Sequence, residues 1–267
     1  MKVFAISDLH LSSAVEKPMN IFGDGWNNHF EKISADWSEK VKDGDLVLLG
    51  GDMSWGMTID EAAPDYALVS ALSGRKIVGK GNHDYYWKSL SKRKAKFTNF
   101  EFLQNNAFRI TENSIQTDSS KPSNAHLCTD LSSSSDVSAA GESTSSKGIV
   151  VAGTRGWNIP SKDTSEADVK IYKRELIRLE LSLNKAAQLR KDGDTLIVML
   201  HYPPFDADYA DTEVTALIDK FHADYVLYGH LHGKNVRVNK CVVKHDTRYL
   251  LTSCDLIDNK LIEICEL

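Results

Sequence analysis

Residues 3–10 read Val3-Phe4-Ala5-Ile6-Ser7-Asp8-Leu9-His10. Four residues suited to a buried strand run straight into a carboxylate and, two positions on, an imidazole. The arrangement recurs along the chain. Leu46–Leu49 is followed by Gly50-Gly51-Asp52, and residues 76–78 by Gly79-Lys80-Gly81-Asn82-His83-Asp84. Residues 196–200 are followed by His201, and Tyr225–Tyr228 by Gly229-His230-Leu231-His232-Gly233. Unbroken apolar runs of this length are expected of parallel strands covered on both faces. Residues 149–152 and 108–111 are two further strand candidates.

Helical patterns lie between the runs. Phe30, Ile33, Trp37 and Val41 share one helical face, and Gly44 follows as a stop signal. A long helix is expected over residues 166–191, with Val169, Tyr172, Leu176, Leu179 and Leu183 as its apolar stripe. Ser165 and Asp168 resemble a capping box, and Gly193 sits just past the end. Strands alternating with helices predict an α/β fold.

Composition agrees with a globular chain. Its 267 residues are 42% hydrophobic and 26% charged, with 32 Lys+Arg against 37 Asp+Glu and a net charge of −5. This excludes a wholly disordered chain and a basic nucleic-acid coat, and gives no electrostatic reason for non-specific DNA binding. No run approaches the ~20 apolar residues of a membrane helix. Cys128, Cys241, Cys254 and Cys265 show no C-x-x-C spacing, so they are read as reduced thiols of a cytoplasmic protein. We expect a single domain over residues 1–267. Residues 113–147 hold twelve serines and few large apolar side chains, and are read as a surface insertion, either a tolerated excursion or a lid.

The five strand ends carry the chemistry. In α/β sheets, ligands gather outside the carboxyl ends of the strands. Such an edge would collect Asp8, His10, Asp52, Asn82, His83, His201, His230 and His232. Oxygen and nitrogen donors without sulfur describe a metal site. The Asp8-x-His10 and His230-x-His232 spacings put each pair on one side of an extended backbone. Seven ligands exceed what one ion takes, but fit two ions sharing a carboxylate. Taken singly, each motif has a plain structural reading, such as a strand-end turn for Asp8-x-His10 or a helix N-cap for Asn82. Together, each after its own apolar strand, they describe a site.

The string Asp8-x-His10, Gly51-Asp52, Gly81-Asn82-His83-Asp84, His201 and Gly229-His230-x-His232 resembles the calcineurin-like metallophosphoesterase family. The resemblance implies a four-layer αββα sandwich of two mixed β-sheets flanked by helices. It implies that Asp8, His10, Asp52 and His232 hold one metal, and Asp52, Asn82, His201 and His230 the second. The ions would be Mn, Fe, Zn, Ni or Mg. The implied function is hydrolysis of a phosphate monoester or diester of a small phosphorylated substrate, by a hydroxide bridging the two ions. His83 would be the catalytic group at the substrate phosphate and leaving-group oxygen. The alternatives are a nucleotide-linked pyrophosphate hydrolase and a non-catalytic interaction scaffold on the same fold. Relatives that cut such pyrophosphates tend to replace the His of Asn-His, so His83 favours ester hydrolysis.

One position departs from the pattern. Many relatives carry an acid three residues after the bridging Asp, able to orient the catalytic His; here it is Trp55. Asp84 is a candidate for orienting either His83 or a metal ligand. Arg155, after the strand candidate 149–152, is a candidate phosphate grip or a plain turn arginine. Trp26, His29, Trp55, Trp157 and Tyr202 are aromatic candidates for packing or pocket lining. The basic run at residues 92–96 is expected to be a solvated helix face.

Overall fold

A computed structural model describes residues 1–117, 147–233 and 235–267. In β1 (Lys2–Ile6), Val3 and Ala5 are buried on one face and Phe4 and Ile6 on the other. There follow α1 (His29–Lys40), β2 (Leu46–Leu49), α2 (Ile59–Ser70), β3 (Arg75–Val78), α3 (Leu90–Lys96) and β4 (Phe100–Phe102). An antiparallel hairpin joins β5 (Ala107–Thr111) to β6 (Ser114–Thr117). The second half runs through β7 (Ile149–Gly153), α4 (Glu166–Leu189), β8 (Thr195–Met199), α5 (Glu213–Lys220) and β9 (Tyr225–Tyr228). It ends in the hairpin of β10 (Cys241–Lys244) and β11 (Thr247–Leu251), then β12 (Ile262–Glu266).

The strands form two mixed sheets. One has five strands in the order β12-β1-β2-β3-β4, parallel except for β12. The other has seven in the order β10-β11-β9-β8-β7-β5-β6. Its centre, β11-β9-β8-β7, is parallel and its flanks are antiparallel.

Alternation along the strands divides the core into layers. Val3, Ala5, Leu46, Leu48 and Ile77 of the first sheet share one apolar cluster with Ile149, Val151, Ile197, Met199 and Leu227 of the second. Phe4, Ile6, Val47, Leu49 and Val78 face the opposite way and pack with Ile33 and Trp37 of α1 and Tyr66 and Val69 of α2. On the second sheet, Val150, Leu196, Val198 and Val226 pack with Tyr172, Leu179 and Leu183 of α4 and Ile218 of α5. Helix, sheet, sheet and helix therefore lie in sequence, as the resemblance implies. A strand carrying apolar residues at every position is what two covered faces require.

Capping follows the sequence signals. Ser165 Oγ accepts from the Asp168 amide at 3.1 Å and donates to its carboxylate at 2.7 Å. Gly193, at φ +81°, makes the turn after α4.

Of the segment expected as an insertion over 113–147, Ser114–Thr117 pair as β6 with β5, and residues 118–146 lie outside the described residues, as does Cys128. One expectation is corrected. The basic run at 92–96 is not wholly solvated. Arg93 is fully buried, donates to the Trp87 carbonyl and to Gln104 Oε1, and lies 4.1 Å over the Trp87 ring. Arginine is weakly hydrated and planar, so it tolerates such a place when its two terminal nitrogens are hydrogen-bonded and its plane lies over a ring, although Nε has no partner among the described residues. Among the described residues no helix is long and apolar enough to cross a membrane.

Candidate metal centre

The carboxyl ends of β1, β2, β3, β8 and β9 meet where the two sheets are cross-linked. The Ser7 amide donates to the Thr252 carbonyl at 2.8 Å, tying the end of β1 to that of β11. His201 Nδ1 lies 3.1 Å from the Gly50 carbonyl, tying the end of β8 to that of β2. The ligand candidates converge there from both sheets.

Asp8 and Asp52 are buried, and each is held by one side. Asp8 Oδ2 accepts from Ser7 Oγ at 2.5 Å, Ser253 Oγ at 2.9 Å and the His230 amide at 3.1 Å. Its Oδ1 faces His232 Nε2 at 3.2 Å and His201 Nδ1 at 3.9 Å. Asp52 Oδ1 accepts from the His83 amide at 2.8 Å, while Oδ2 lies 3.3 Å from His201 Nε2 and 3.7 Å from His10 Nε2. Asn82 Oδ1 sits between His201 Nε2 at 2.8 Å and His230 Nδ1 at 2.9 Å. All seven expected ligands thus form one connected cluster of oxygen and nitrogen donors.

Tight backbone makes the approach possible. Asp8, His10, Asp52 and His230 all have positive φ, between 45° and 71°. Non-glycine residues rarely adopt this region, and such strain collects at functional sites. At Gly81 a Cβ would stand 1.9 Å from Asp52 Oδ1, and at Gly229 2.3 Å from Asp8 Oδ2. A side chain at either position would displace the carboxylate beside it.

Charge is balanced within the cluster. Burial works against a charged His201, but Asp52 and Asp8 outweigh it and raise its pKa to about 9. The same contest leaves His232 at about 10, with Asp8 and Asp255 the opposing charges. Burial dominates at His10 and His230, lowering both to about 4 and leaving neutral rings. Asp8 and Asp52 stay ionised against burial because the imidazoles lie beside them.

The donor set fits divalent metal ions. The groups Asp8, His10, His232 and Asp8, Asp52, His201 each bring ligand atoms within 4.8 Å of one another. His10 Nδ1 is buried and has no hydrogen-bond partner among the described residues. Carboxylate, amide oxygen and imidazole suit the harder and borderline divalent cations.

The remaining candidates take distinct places. His83 is half-buried, with its Nδ1 3.3 Å from Tyr85 Oη and its ring 4.3 Å from Trp55. Trp55 also stacks on His10 at 4.9 Å. An indole thus occupies the place where an acid was the family expectation. His83, His10, His232, Trp26 and Trp55 together line an open cleft of about 280 Å³. Asp84 does not turn to His83. It accepts from the amides of Gly81, Asp52 and Met53 at 2.7–3.1 Å and from Tyr86 Oη at 2.8 Å, tying the Asp52 turn to the Asn82 loop. Burial and the charge of Asp52 raise its pKa to about 6. The Arg155 guanidinium points to Glu175 at 3.8 Å and Trp157 at 4.5 Å, while its carbonyl accepts the His201 and Tyr202 amides. Tyr202 packs on His230 at 4.0 Å.

Sequence reasoning missed Asp255 and Ser253. Asp255 Oδ1 lies 2.9 Å from His232 Nδ1 and so orients Nε2 toward Asp8. Neither residue follows one of the apolar runs that mark the other site positions.

A family model for calcineurin-like phosphoesterases matches residues 1–234, which span all seven ligand candidates. The chain belongs to the calcineurin-like phosphoesterase family. It is therefore a metal-dependent phosphoesterase by family. Among curated proteins none matches the chain in sequence. Several solved structures share the fold of this phosphoesterase. One is the protein TT1561 of Thermus thermophilus, with 13% identity, TM-score 0.54, and 98% of this chain and 97% of that one covered. A phosphopantetheinyl hydrolase of Mycobacterium tuberculosis matches at 13% identity and TM-score 0.50, covering 100% and 96%. GAP50, the anchor in the inner membrane complex of Plasmodium, matches at 11% identity and TM-score 0.51, covering 96% and 72%. At these identities the likeness is one of fold.

Proposed function

We propose that this phosphoesterase hydrolyses a small phosphate monoester or diester at a pair of divalent ions. The observation that carries the reading is the convergence of seven oxygen and nitrogen donors from five strand ends, with His83 beside them in an open cleft. Asp8, His10, Asp52 and His232 would hold one ion, and Asp52, Asn82, His201 and His230 the other. Asp52 Oδ2 faces both His10 and His201, which supports its role as the shared ligand. Ions bound there supply a water acidic enough to ionise near neutral pH, and positive charge for the phosphoryl oxygens.

The chain's own groups do the rest. Ser7, Ser253 and the His230 amide fix Asp8; Asp255 and the Gly50 carbonyl fix the rings of His232 and His201. Burial holds the His83 pKa below its ordinary value, so the free imidazole is neutral at physiological pH. The negative charge of a phosphate ester set against the ring raises that pKa. The protonated ring then donates to phosphoryl and leaving-group oxygens, and the leaving alkoxide departs as an alcohol.

His83 beside Asn82 favours an ester over a nucleotide-linked pyrophosphate, and the complete ligand set favours an enzyme over a scaffold. Cys241, Cys254 and Cys265 are free thiols, which supports a reducing, cytoplasmic setting.

The test is turnover of p-nitrophenyl phosphate and bis-p-nitrophenyl phosphate by protein loaded with Mn, Ni, Zn or Mg. Metal-dependent release of nitrophenol from either is expected, and the better ester sets the substrate class. A metal-loaded protein inert to both esters contradicts general ester hydrolysis.

A further inference from the structure

A second cavity, of about 200 Å³, lies where the loops after β3, β4 and β7 meet α4. Lys80, Arg155, Arg174 and Arg178 line it, and Glu175 is the one carboxylate in its wall. Glu175 is already engaged. It takes Arg178 at 2.6 Å, Arg155 and Arg174 at 3.8 Å, and the Thr154 hydroxyl at 2.7 Å. Lys80 makes no hydrogen bond or ion pair among the described residues. Two of the wall residues carry buried donors, Trp87 Nε1 and Arg155 Nε, that have no partner among the described residues. Trp87 itself is only 3% exposed. A concave surface of excess positive charge and unmet N–H donors calls for an oxygen-rich anion.

The cavity's place in the fold says where that anion comes from. Lys80 is two residues from Asn82, so their Cα atoms lie within about 7 Å. The Arg155 carbonyl accepts the amides of His201 at 2.9 Å and Tyr202 at 3.0 Å. The cations therefore ride on the loops that carry two of the ligand candidates. In strand order the metal centre spans β1-β2-β3 and β9-β8, and the cavity sits one strand further along each sheet, at β3-β4 and β7.

We propose that this cavity binds a second phosphate group of the substrate, so that the enzyme selects bisphosphorylated molecules. The proposal rests on the phosphoesterase reading above. Phosphate offers acceptors on every side, and a planar guanidinium such as that of Arg178 meets two of its oxygens at once. A monoester lacking the second phosphate reaches the metal centre without that hold.

The kinetic test compares an alkyl α,ω-bisphosphate with the matching alkyl monophosphate, using metal-loaded wild type, Arg178→Gln and Trp87→Phe. Wild type is expected to favour the bisphosphate in kcat/KM by about tenfold or more, the worth of one charge-assisted hydrogen bond. Each variant is expected to lose most of that preference through KM, with monophosphate turnover close to wild type. Equal rates on both probes in wild type, or equal losses on both in the variants, would overturn the proposal. A binding test runs independently of turnover. Sulfate is titrated into the chelator-treated full chain while the side-chain N–H resonances of Trp87 and Arg155 are followed. Both are expected to shift in wild type, and the Trp87 shift to weaken in Arg178→Gln; unmoved resonances would overturn the site. If neither phosphate ester is hydrolysed, the phosphoesterase reading fails while the sulfate titration still reports on the cavity. Sulfate that shifts both resonances yet inhibits without competing with the bisphosphate would mark a free-anion site and overturn the substrate assignment.

Discussion

His83 is set by aromatic neighbours in place of a carboxylate. Trp55 covers one side of its ring and the Tyr85 hydroxyl lies 3.3 Å from Nδ1. An imidazole without an acid partner stays neutral until an anion arrives, so its protonation is coupled to substrate. His83→Ala is expected to lower kcat by about 10²–10⁴, the range for losing one positioned acid or base, with bound metal unchanged. Elemental analysis of the variant beside its turnover checks this; full activity at unchanged metal content removes His83 from the chemistry. At this scale the ligand candidates were legible in the sequence, because each stands within a few residues of the end of an apolar strand. Asp255 was not, since it lies 23 residues from His232 and reaches it only after the turn following β11. Tyr85 was equally hidden, because contact with His83 depends on how the loop after Asn82 turns.

At the scale of elements, the legible strands were those buried on both faces. β1, β2, β3, β7, β8 and β9 each present an apolar run, and their expected bounds differ from the observed ones by a residue or so at the ends. β6, β10 and β12 are short and partly exposed, with Ile264 the one buried side chain among them, so their pattern is weak. Pro64 inside α2 interrupts the helical signal that Thr58 caps. The edge of the second sheet is held by a buried ion pair. Arg109 of β5 donates from Nε at 2.7 Å and from a terminal nitrogen at 2.9 Å to Asp194, which also accepts the Gly148 and Lys191 amides. Burial opposes the charge on Asp194, but Arg109 and these amides outweigh it and keep its pKa below 3.8. Its contribution to stability is therefore present above pH 3.8 and is lost as pH falls through the lower folded value. Asp194→Asn is expected to cost about 3–5 kcal/mol in urea unfolding at pH 7, because it takes the carboxylate charge out of a buried ion pair. The variant's stability should also fall less steeply than that of wild type below pH 3.8.

For the whole molecule, two sheets cross-linked at their carboxyl ends bring ligand candidates from both halves of the chain to one place. Asp8, Asp52 and Asn82 come from the first sheet, and His201 and His230 from the second. The alternation of strands and helices made an α/β fold legible, and the two-sheet, four-layer arrangement was what the family resemblance implied. The cation-lined cavity was not legible, since Lys80, Trp87, Arg155 and Arg178 share no spacing and meet only where both sheets and α4 come together. The central claim is that this junction holds two ions through a shared Asp52. Protons compete with metal for its imidazoles, and with His201 at about 9 and His232 at about 10 both rings are charged at pH 7 in the metal-free chain. Metal uptake must therefore release protons, and affinity must rise with pH up to those values. The measurement is a metal titration of wild type and Asp52→Asn at two pH values, counting ions and protons. Binding of about two ions per wild-type chain, proton release, tighter binding at the higher pH and weakened uptake of both ions in Asp52→Asn are predicted. A single ion, or uptake indifferent to Asp52, would contradict the shared-ligand centre.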